Sequence, residues 1–470
     1  MKRVILGPFN RVEGDLEVTL DVVEGKVSSA YVNSPLYRGF ERMLQGRDPM
    51  DALVVAPRIC GICSVSQATA AAFALSGAMG LEMPPNGQHA SNLILANENL
   101  ADHITHFYLF FMPDFARDVY GKRPWFENVR RRFKAVEGSA SGQAIPARAA
   151  FLRLMGYLAG KWPHTLSIQP GGSVRAIDAA EKMRIFSILR QFRHFLEGTL
   201  YGDSLESFVS IESMKALERW NKGDLSLFLE VAKDLELEKC GRASVSFMSY
   251  GNYPFQGERF FRPGVWQEEL LPLDAESIVE DLSHSWMEGP ALHPSLGVTE
   301  PLHEKEGAYS WCKAPRLAGK AVETGALARQ LVDGHPLVRD VVASCGGSVF
   351  ARVLARLVET ARVLVAMEDW IMNIAPGDPF CNQGKMPMEA FGAGLIEAAR
   401  GSLGHWVHVS RGRIRNYQII SPTTWNFSPR DESGQPGALE QALEGAQARD
   451  SVMVQHIVRS FDPCMVCTVH

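Results

Sequence analysis

Apolar and polar residues alternate along the first part of the chain, which predicts short strands there. Residues 16–20 and 27–32 carry the clearest alternation and are predicted to pair as a small edge sheet. The pattern becomes helical from Asp48-Pro49, because aspartate favours a helix N-cap and proline favours the first helical position. Pro57 then interrupts this helix a few residues later.

Three longer segments repeat apolar residues at spacings of three and four, which is the period of an amphipathic helix. They span residues 91–114, 176–200 and 349–374. The last of them is apolar on nearly all sides, so we expect it in the middle of a helical bundle. Residues 438–459 are predicted to form the final helix of the chain.

The remaining segments complete the predicted architecture. The Pro/Gly-rich residues 249–301 predict irregular structure with short strands, and residues 386–430 mix strands with loops. The predicted fold class is α+β, mainly α, with a central bundle of long helices and small peripheral sheets. One unit spans residues 1–470, and its parts are a β-rich start (1–47), the helical bundle (48–248 and 302–385), the irregular segment (249–301), mixed α/β loops (386–437) and a C-terminal helix with its motif (438–470).

Composition narrows the class of protein. The 470 residues are 46% hydrophobic, enough for a large core, and the net charge is −5. This charge gives no reason to expect nucleic acid or an anionic membrane as a partner. The N-terminus lacks the pattern of a signal peptide, and no apolar run reaches the roughly 18 residues of a membrane span. We therefore predict a cytoplasmic protein.

Two Cys-x-x-Cys pairs lie at opposite ends of the chain: Cys60 with Cys63, and Cys464 with Cys467 near the C-terminus. Four thiolates suit a soft metal ion. Structural zinc ribbons usually place their two pairs about 15–20 residues apart. The wide separation here predicts instead a metal site that joins both chain ends. These residues alone do not choose the metal, and structural zinc is an alternative.

The neighbours of each pair favour metal-binding thiolates. Gly61 allows the backbone to turn so that both sulfurs face one point, and the guanidinium of Arg58 is expected to lower thiol pKa values. Asp462-Pro463 repeats the aspartate–proline device ahead of the second pair. His470 adds an imidazole or a terminal carboxylate after it. The four other cysteines show no ligand spacing and are interpreted as buried and inert: Cys240, Cys312, Cys345 and Cys381.

Seven motifs occur along the chain in an order that is specific to one family. They are Arg11-Val12-Glu13-Gly14; Arg38-Gly39-Phe40-Glu41 running into Gly46-Arg47-Asp48-Pro49; Arg58-Ile59-Cys60-Gly61-Ile62-Cys63; Asp102-His103-Ile104-Thr105-His106-Phe107-Tyr108; Glu397-Ala398-Ala399-Arg400-Gly401; Pro422-Thr423-Thr424-Trp425-Asn426; and Asp462-Pro463-Cys464-Met465-Val466-Cys467-Thr468-Val469-His470. Through these motifs the chain resembles, from end to end, the large subunit of nickel–iron hydrogenases.

The resemblance implies a bimetallic centre. All four motif cysteines would bind nickel: Cys60, Cys63, Cys464 and Cys467. Of these, Cys63 and Cys467 would also bridge to an iron that carries CO and cyanide. Glu13 matches the proton-transfer glutamate of the family. Glu41 and His470 match the ligands of a magnesium ion that ties down the C-terminus.

Further residues match positions around that centre. Arg400, Asp102 and Asp462 would line the open face of the metal pair, where a guanidinium balances an anionic site. Thr423 matches a hydroxyl that hydrogen-bonds a cyanide, and Thr423 and Arg58 make up the implied cofactor-binding residues.

A few positions depart from the family pattern. Gln67 stands where the family usually has histidine, and Ala399 where it usually has proline. Gln67 resembles the hydrogen-sensing, regulatory branch, as do the bulky Ile62 and Phe110, which would narrow the gas route and slow oxygen entry. Simple core packing is the alternative for both side chains. The chain end at His470, without an extension, also matches the sensing branch.

Three functions are compatible with these observations. The leading one is a cytoplasmic hydrogen sensor, a low-turnover hydrogenase that reports hydrogen to a signalling kinase. The second is an uptake hydrogenase that feeds a respiratory chain, which favours histidine at position 67. The third is a non-catalytic relative in a respiratory complex, which would lack the metal cysteines. Either hydrogenase needs maturation proteins and a small subunit with iron–sulfur clusters, docked near Arg58 and Glu13.

Overall fold

Long helices meet in the centre of the molecule, and small sheets lie around them. A computed structural model describes residues 2–243, 245–447 and 451–470. Its α-helices are α1 (Phe40–Leu44), α2 (Ala52–Val55), α3 (Ser64–Met79), α4 (Pro85–Thr105), α5 (Phe126–Phe133), α6 (Ser141–Phe151), α7 (Leu154–Leu158), α8 (Ala179–Phe195), α9 (Leu205–Val209), α10 (Met214–Leu217), α11 (Gly223–Asp234), α12 (Ala326–Asp333), α13 (Pro336–Cys345), α14 (Val349–Asn373), α15 (Pro422–Asn426), α16 (Ala438–Leu443), α17 (Ser451–Phe461) and α18 (Met465–Thr468).

The strands are short except in two antiparallel sheets, one formed by β1 to β3 and one by β16 to β18. They are β1 (Lys2–Leu6), β2 (Glu17–Val23), β3 (Lys26–Asn33), β4 (Ile168–Gln169), β5 (Gly172–Ser173), β6 (Ser246–Ser249), β7 (Asn252–Phe255), β8 (Glu258–Phe261), β9 (Gly264–Gln267), β10 (Glu269–Leu271), β11 (Ile278–Asp281), β12 (Met287–Glu288), β13 (Glu300–Pro301), β14 (Ala314–Leu317), β15 (Val322–Glu323), β16 (Glu389–Ala398), β17 (Gly401–Ser410) and β18 (Arg413–Ile420). The predicted pairing of the two N-terminal strands is confirmed as β2 with β3.

Helix α14 lies in the middle of the bundle, as its apolar pattern predicts. It begins after Ser348, whose side chain accepts a hydrogen bond from the backbone N–H of Ala351. It packs against α4, α8, α12 and α17. Three charged residues are buried on it and need partners inside the protein: Arg352, Arg356 and Glu359.

The other two long helices differ from their predicted bounds. Helix α4 begins at Pro85, because proline suits the first helical position, and ends at Thr105. The chain then continues as a π-helical turn, His106–Phe111. Helix α8 begins after Asp178, whose side chain accepts the backbone N–H of Glu181. Apolar periodicity does not distinguish an α turn from a π turn, so the sequence predicts residues 91–114 as one continuous helix.

The prediction of a single helix over residues 438–459 is wrong. The described residues form two helices, α16 and α17. Gly445 adopts φ +81°, and its N–H donates to the carbonyl of Val27 at 2.8 Å. The N–H of Val27 donates in turn to Ala446 at 3.0 Å. Pairing with β3 therefore ends α16; residues 448–450 lie outside the described residues.

The sheet of β16, β17 and β18 packs one face directly on helix α3. Gly394 permits this contact, because a Cβ atom there would lie 1.9 Å from the carbonyl oxygen of Ala70. Helix α3 begins beside Cys63, and β16 leads to Arg400, so this contact sets the distance between two predicted site regions.

The predicted fold class, α+β and mainly α with small peripheral sheets and a site joined from both chain ends, is confirmed. In the part of the chain that the structure describes, no helix combines the length and apolar character needed to cross a membrane.

Candidate metal centre

Four buried or half-buried sulfurs meet at one point. The Sγ atoms of the two Cys-x-x-Cys pairs all lie within 4.8 Å of one another. Cys60 and Cys464 are 3.5 Å apart, Cys63 and Cys467 are 3.1 Å apart, and Cys464 and Cys467 are also 3.1 Å apart. Among the described residues, this is the only group of three or more Cys, His, Asp or Glu side chains close enough to hold a metal ion.

The N-terminal pair is placed by a helix break. A 3-10 turn, Ala56–Ile59, ends at Cys60, and Cys63 precedes the first turn of α3. Glu98 on α4 holds that turn, because its carboxylate accepts the backbone N–H groups of Val65 and Ser66 at 2.9 Å each. The Glu98 carboxylate on α4 therefore caps the N-terminus of α3.

The C-terminal pair is placed by pairing with the N-terminal loop. Cys464 forms a parallel β-bridge with Glu13, and the N–H of Met465 donates to the Glu13 carbonyl at 2.7 Å. Arg38 joins both motifs, because its guanidinium donates to the carbonyl of Ile59 at 2.6 Å and to that of Val466. The chain ends are therefore held together by backbone contacts as well as by the thiols.

The chemistry of this donor set fits a soft metal. Contact with Cys464 lowers the pKa of Cys60 well below its ordinary value and raises the pKa of Cys63. Burial raises the pKa of Cys467. Four close thiols thus cannot all ionise without a cation, and a bound cation would take the place of their protons. Four sulfur donors suit nickel or iron as well as zinc.

A buried guanidinium and two carboxylates cover one side of the sulfurs. Arg400 Nη1 lies 2.7 Å from Asp102 Oδ2, and Arg400 Nη2 lies 3.2 Å from Asp462 Oδ1. Burial raises the pKa of Asp102 to about 7, helped by Asp462 and opposed by Arg400. Burial alone would lower the pKa of Arg400, but the two carboxylates outweigh it and raise that pKa well above the ordinary value. Arg400 is therefore a permanent positive charge beside the sulfur cluster.

Two further predicted residues reach the same place. Burial and the nearby Cys60 raise the pKa of Glu13, against the opposing charge of Arg400. Thr423 lines a small cavity together with three of the cysteines and Arg400, and its hydroxyl oxygen accepts the N–H of Cys464 at 3.1 Å. The hydroxyl proton of Thr423 is thus left to donate elsewhere.

Gln67 also lines this cavity, and His405 orients it. His405 Nε2 lies 2.8 Å from Gln67 Oε1, and His405 Nδ1 lies 2.8 Å from the hydroxyl of Tyr417. Burial lowers the pKa of His405 well below its ordinary value, so the ring is neutral. The contact with Gln67 links His405 to the site.

Arg58 does not join the group. Its side chain is exposed, and Nη1 donates to the carbonyl of Val54 at 3.0 Å. The expectation that Arg58 lowers the thiol pKa values is corrected, because the 3-10 turn directs its side chain to solvent. Ile62 and Phe110 are both half-buried.

The predicted magnesium ligands converge at a second place. His470 Nε2 lies 3.7 Å from Glu41 Oε1 and 2.6 Å from the carbonyl oxygen of Ile419. Lys313 Nζ lies 3.5 Å from Glu41 Oε2 and 3.3 Å from Glu280 Oε2. These distances describe hydrogen bonds and ion pairs among buried groups, with the Lys313 ammonium beside the Glu41 carboxylate, and the magnesium ion stays a prediction.

Sequence reasoning missed some residues that hold the site, notably Glu98 and Arg329. A signal for Glu98 exists in retrospect, because Asn97-Glu98-Asn99 is a polar run in the middle of a buried helix. Charged residues there need buried partners. The partners themselves lie too far away in sequence to be found from a local pattern.

A mainly helical fold that brings four thiols from both chain ends to one point, with an arginine beside them, defines a protein with a buried thiolate site for a soft metal. Residues 38–120 and 143–470 match the nickel-dependent hydrogenase family. The chain therefore belongs to that family, as a large subunit that activates hydrogen.

Similar proteins agree with this assignment over the full chain. The large subunit of the periplasmic [NiFeSe] hydrogenase of Desulfomicrobium baculatum is 30% identical, with 100% of this chain and 95% of the relative covered. The uptake hydrogenase large subunit of Rhodobacter capsulatus is 28% identical, with 100% and 95% covered. The solved reduced Ni-Fe-Se hydrogenase of D. vulgaris Hildenborough has a TM-score of 0.85 at 31% identity, with 100% of both chains covered.

Proposed function

We propose that this chain and a small iron–sulfur subunit catalyse the reversible heterolytic cleavage of H2 into protons and electrons. The observation that carries the proposal is the grouping of four thiols, Glu13 and Arg400. All four cysteines would hold nickel, and Cys63 with Cys467 would share an iron bearing CO and cyanide, delivered by maturation proteins. When bound, this metal pair supplies the Lewis acidity and electron acceptance that break the H–H bond.

Glu13 is proposed to receive the proton. Its carboxylate is half-buried, and its backbone pairs with Cys464, so the side chain starts from a fixed point beside the sulfurs. A raised pKa favours proton uptake near neutral pH. The partial exposure of Glu13 also gives the proton a route away from the site.

Arg400 is proposed to present its positive guanidinium to the open side, held in place by Asp102 and Asp462. The three groups are buried together, and their charges cost little reorganisation because the ion pairs already exist. Thr423 would donate its hydroxyl proton to a cyanide ligand from the same cavity.

The test of this function is hydrogen–deuterium exchange between D2 and water, with metal analysis on the same matured heterodimer. Glu13→Gln should reduce exchange by about 100-fold or more, the contribution expected of a positioned acid–base group, while nickel and iron stay bound. Glu17→Gln is the control, because Glu17 is exposed on β2. Unchanged exchange in Glu13→Gln would remove Glu13 from the mechanism.

Infrared spectroscopy tests the bimetallic centre directly. Sharp stretches of iron-bound CO and cyanide that shift under hydrogen are expected in the wild-type heterodimer. Protein with one zinc and without such bands would contradict the hydrogenase proposal.

The small subunit is proposed to dock on the face that carries Arg58. Arg58 is exposed there, and Met43, Met50 and Val54 on the neighbouring helical turns are exposed apolar residues. Exposed apolar side chains grouped with a cation are typical of a protein interface. Magnesium is proposed at Glu41, His470 and the Ile419 carbonyl.

A low-turnover hydrogen sensor that signals to a kinase is the finer proposal. Gln67, Ile62 and Phe110 support it, through the resemblance to the sensing branch. An energy-conserving uptake hydrogenase is the second candidate, and the names of similar proteins, which include uptake and periplasmic hydrogenases, favour it. The turnover rate for hydrogen oxidation separates the two candidates, because a sensor needs only a low rate. The cytoplasmic location stays a prediction.

A further inference from the structure

The corner between β16 and β17 presents Arg400 to the sulfur cluster, and it depends on a residue outside both strands. We propose that Arg329, on α12, is a positioning residue that sets the placement of both Arg400 and Asp102. Arg329 is fully buried, with 0% of its side chain exposed. This proposal deepens the proposed function. Only its activity measurement rests on that function; its amide-exchange measurement does not.

Arg329 uses all five of its N–H donors. Nε and Nη2 donate to the two carboxylate oxygens of Glu359 at 2.8 and 2.7 Å. Nη1 donates to Glu397 Oε2 at 2.8 Å and to the carbonyl of Ala398 at 2.9 Å, and Nη2 also donates to the carbonyl of Ala399 at 3.0 Å. The last two contacts hold the backbone immediately before Arg400.

The corner is tight, which makes its backbone path sensitive to those contacts. Gly401 adopts φ +134°, and a Cβ atom there would lie 2.3 Å from Thr324 Oγ1. Thr324 and Gly325 lead directly into α12, the helix that carries Arg329. The start of α12 and the corner therefore pack as one piece, with the Arg329 guanidinium behind it.

A second arm of the same network reaches Asp102. Glu359 Oε1, which accepts from Arg329, also lies 3.0 Å from His103 Nε2. His103 is the residue next to Asp102 on α4. Arg329 thus connects to both members of the Arg400–Asp102 ion pair, by way of two carbonyls on one side and Glu359 with His103 on the other.

Lysine cannot replace this guanidinium. Its ammonium group offers three donors from a single atom, whereas the five acceptors around Arg329 need a planar fork. Arg329→Lys keeps the charge that balances Glu359 and Glu397, but it leaves the carbonyls of Ala398 and Ala399 without their common donor. We expect the corner to loosen while the buried charge stays compensated.

Arg316→Lys is the matched control. Arg316 is also buried and also uses five donors, to Asp431, Pro315, Ser428, Pro429 and Gln435. Its partners belong to β14 and to the loop after α15. The two variants should lose similar thermal stability, so any difference at the site is not a general effect of instability.

Both variants are compared with wild type as matured heterodimers. Amide hydrogen exchange, followed by mass spectrometry, should become at least about tenfold faster for residues 398–402 in Arg329→Lys only. The kcat for hydrogen oxidation should fall about 10- to 100-fold, the effect of a displacement near 1 Å, with KM for hydrogen little changed and nickel content retained.

Equal amide exchange of residues 398–402 in the two variants would overturn the proposal, whatever their activities. If Arg329→Lys does not assemble, the Glu359→Gln variant is measured in its place. The glutamine side chain keeps one of the two oxygens that accept hydrogen bonds from Arg329 and removes the other. Wild-type protein without hydrogenase activity would refute the proposed function alone, and the exchange measurement would still decide the role of Arg329.

Discussion

Replacing Gly394 by alanine should push helix α3 away from strand β16. The new Cβ atom would lie 1.9 Å from the carbonyl oxygen of Ala70 and 2.7 Å from the backbone nitrogen of Ala74. Both are helix backbone atoms and cannot rotate away, so the two elements must separate by about 1 Å. Overpacking of this kind costs about 1–3 kcal/mol, offset by about 0.4–1 kcal/mol from the less flexible unfolded chain.

For a chain of 470 residues, unfolding entropy near 60 °C is about 1 kcal/mol per kelvin. The net cost, at most about 2.6 kcal/mol after the offset, should therefore lower Tm by no more than about 3 °C. The site should respond more strongly, because α3 starts beside Cys63 and β16 leads to Arg400. We expect nickel to be lost to a chelator about tenfold faster, the scale of disturbed support around metal ligands.

Scanning calorimetry and timed nickel release on the heterodimer measure both effects. Gly142→Ala is the control, since apart from its chain neighbours and its own helix backbone no described atom lies within 4 Å of a Cβ built there, and α6 should gain stability. A Gly394→Ala protein with wild-type Tm and wild-type nickel release would refute the argument that this glycine sets the distance between α3 and β16.

Three further predictions test the stability, the metal ligands and the gas route. Burial raises the pKa of Glu440 to about 7 from 4.5, so the folded state favours the protonated form. Stability from that proton is complete below pH 4.5 and lost as pH rises to 7, by at most about 3 kcal/mol; denaturation at several pH values should show wild type weakening against Glu440→Gln over this window, and a constant difference would contradict it. Cys464→Ser should lower nickel content at least about tenfold because a hydroxyl is a poor soft-metal ligand, with Cys240→Ser unchanged in the same metal analysis. Ile62→Val with Phe110→Leu should speed inactivation by oxygen, and an unchanged rate in activity decay would reduce both side chains to packing.

Local patterns predicted much of the fold but not where elements stop. The apolar surface of α14 and the proline at the start of α4 were visible in the sequence, because each depends on neighbouring residues. The end of α16 at Leu443 depends on hydrogen bonds that Gly445 and Ala446 make to Val27, hundreds of positions earlier in the chain. A helix boundary of that kind cannot be found from periodicity.

The candidate site divides in the same way. Motif order identified the four cysteines together with Glu13, Arg400 and Thr423, and the fold brings these residues to one place. The exposure of Arg58 was missed, since a 3-10 turn and a helical turn present different faces of the same sequence. The support from Glu98 and Arg329 was also missed, because a buried charge reveals its partner only after packing.

By itself, the sequence determined the ligand chemistry and the family, because thiol spacing and motif order are properties of the linear chain. Tertiary structure alone decided how those ligands are held: Glu98 at the start of α3, Arg329 behind the Arg400 corner, and Glu13 paired with Cys464. The physical reason is that burial removes water as a partner, so each buried donor or acceptor must find its partner wherever the fold brings one.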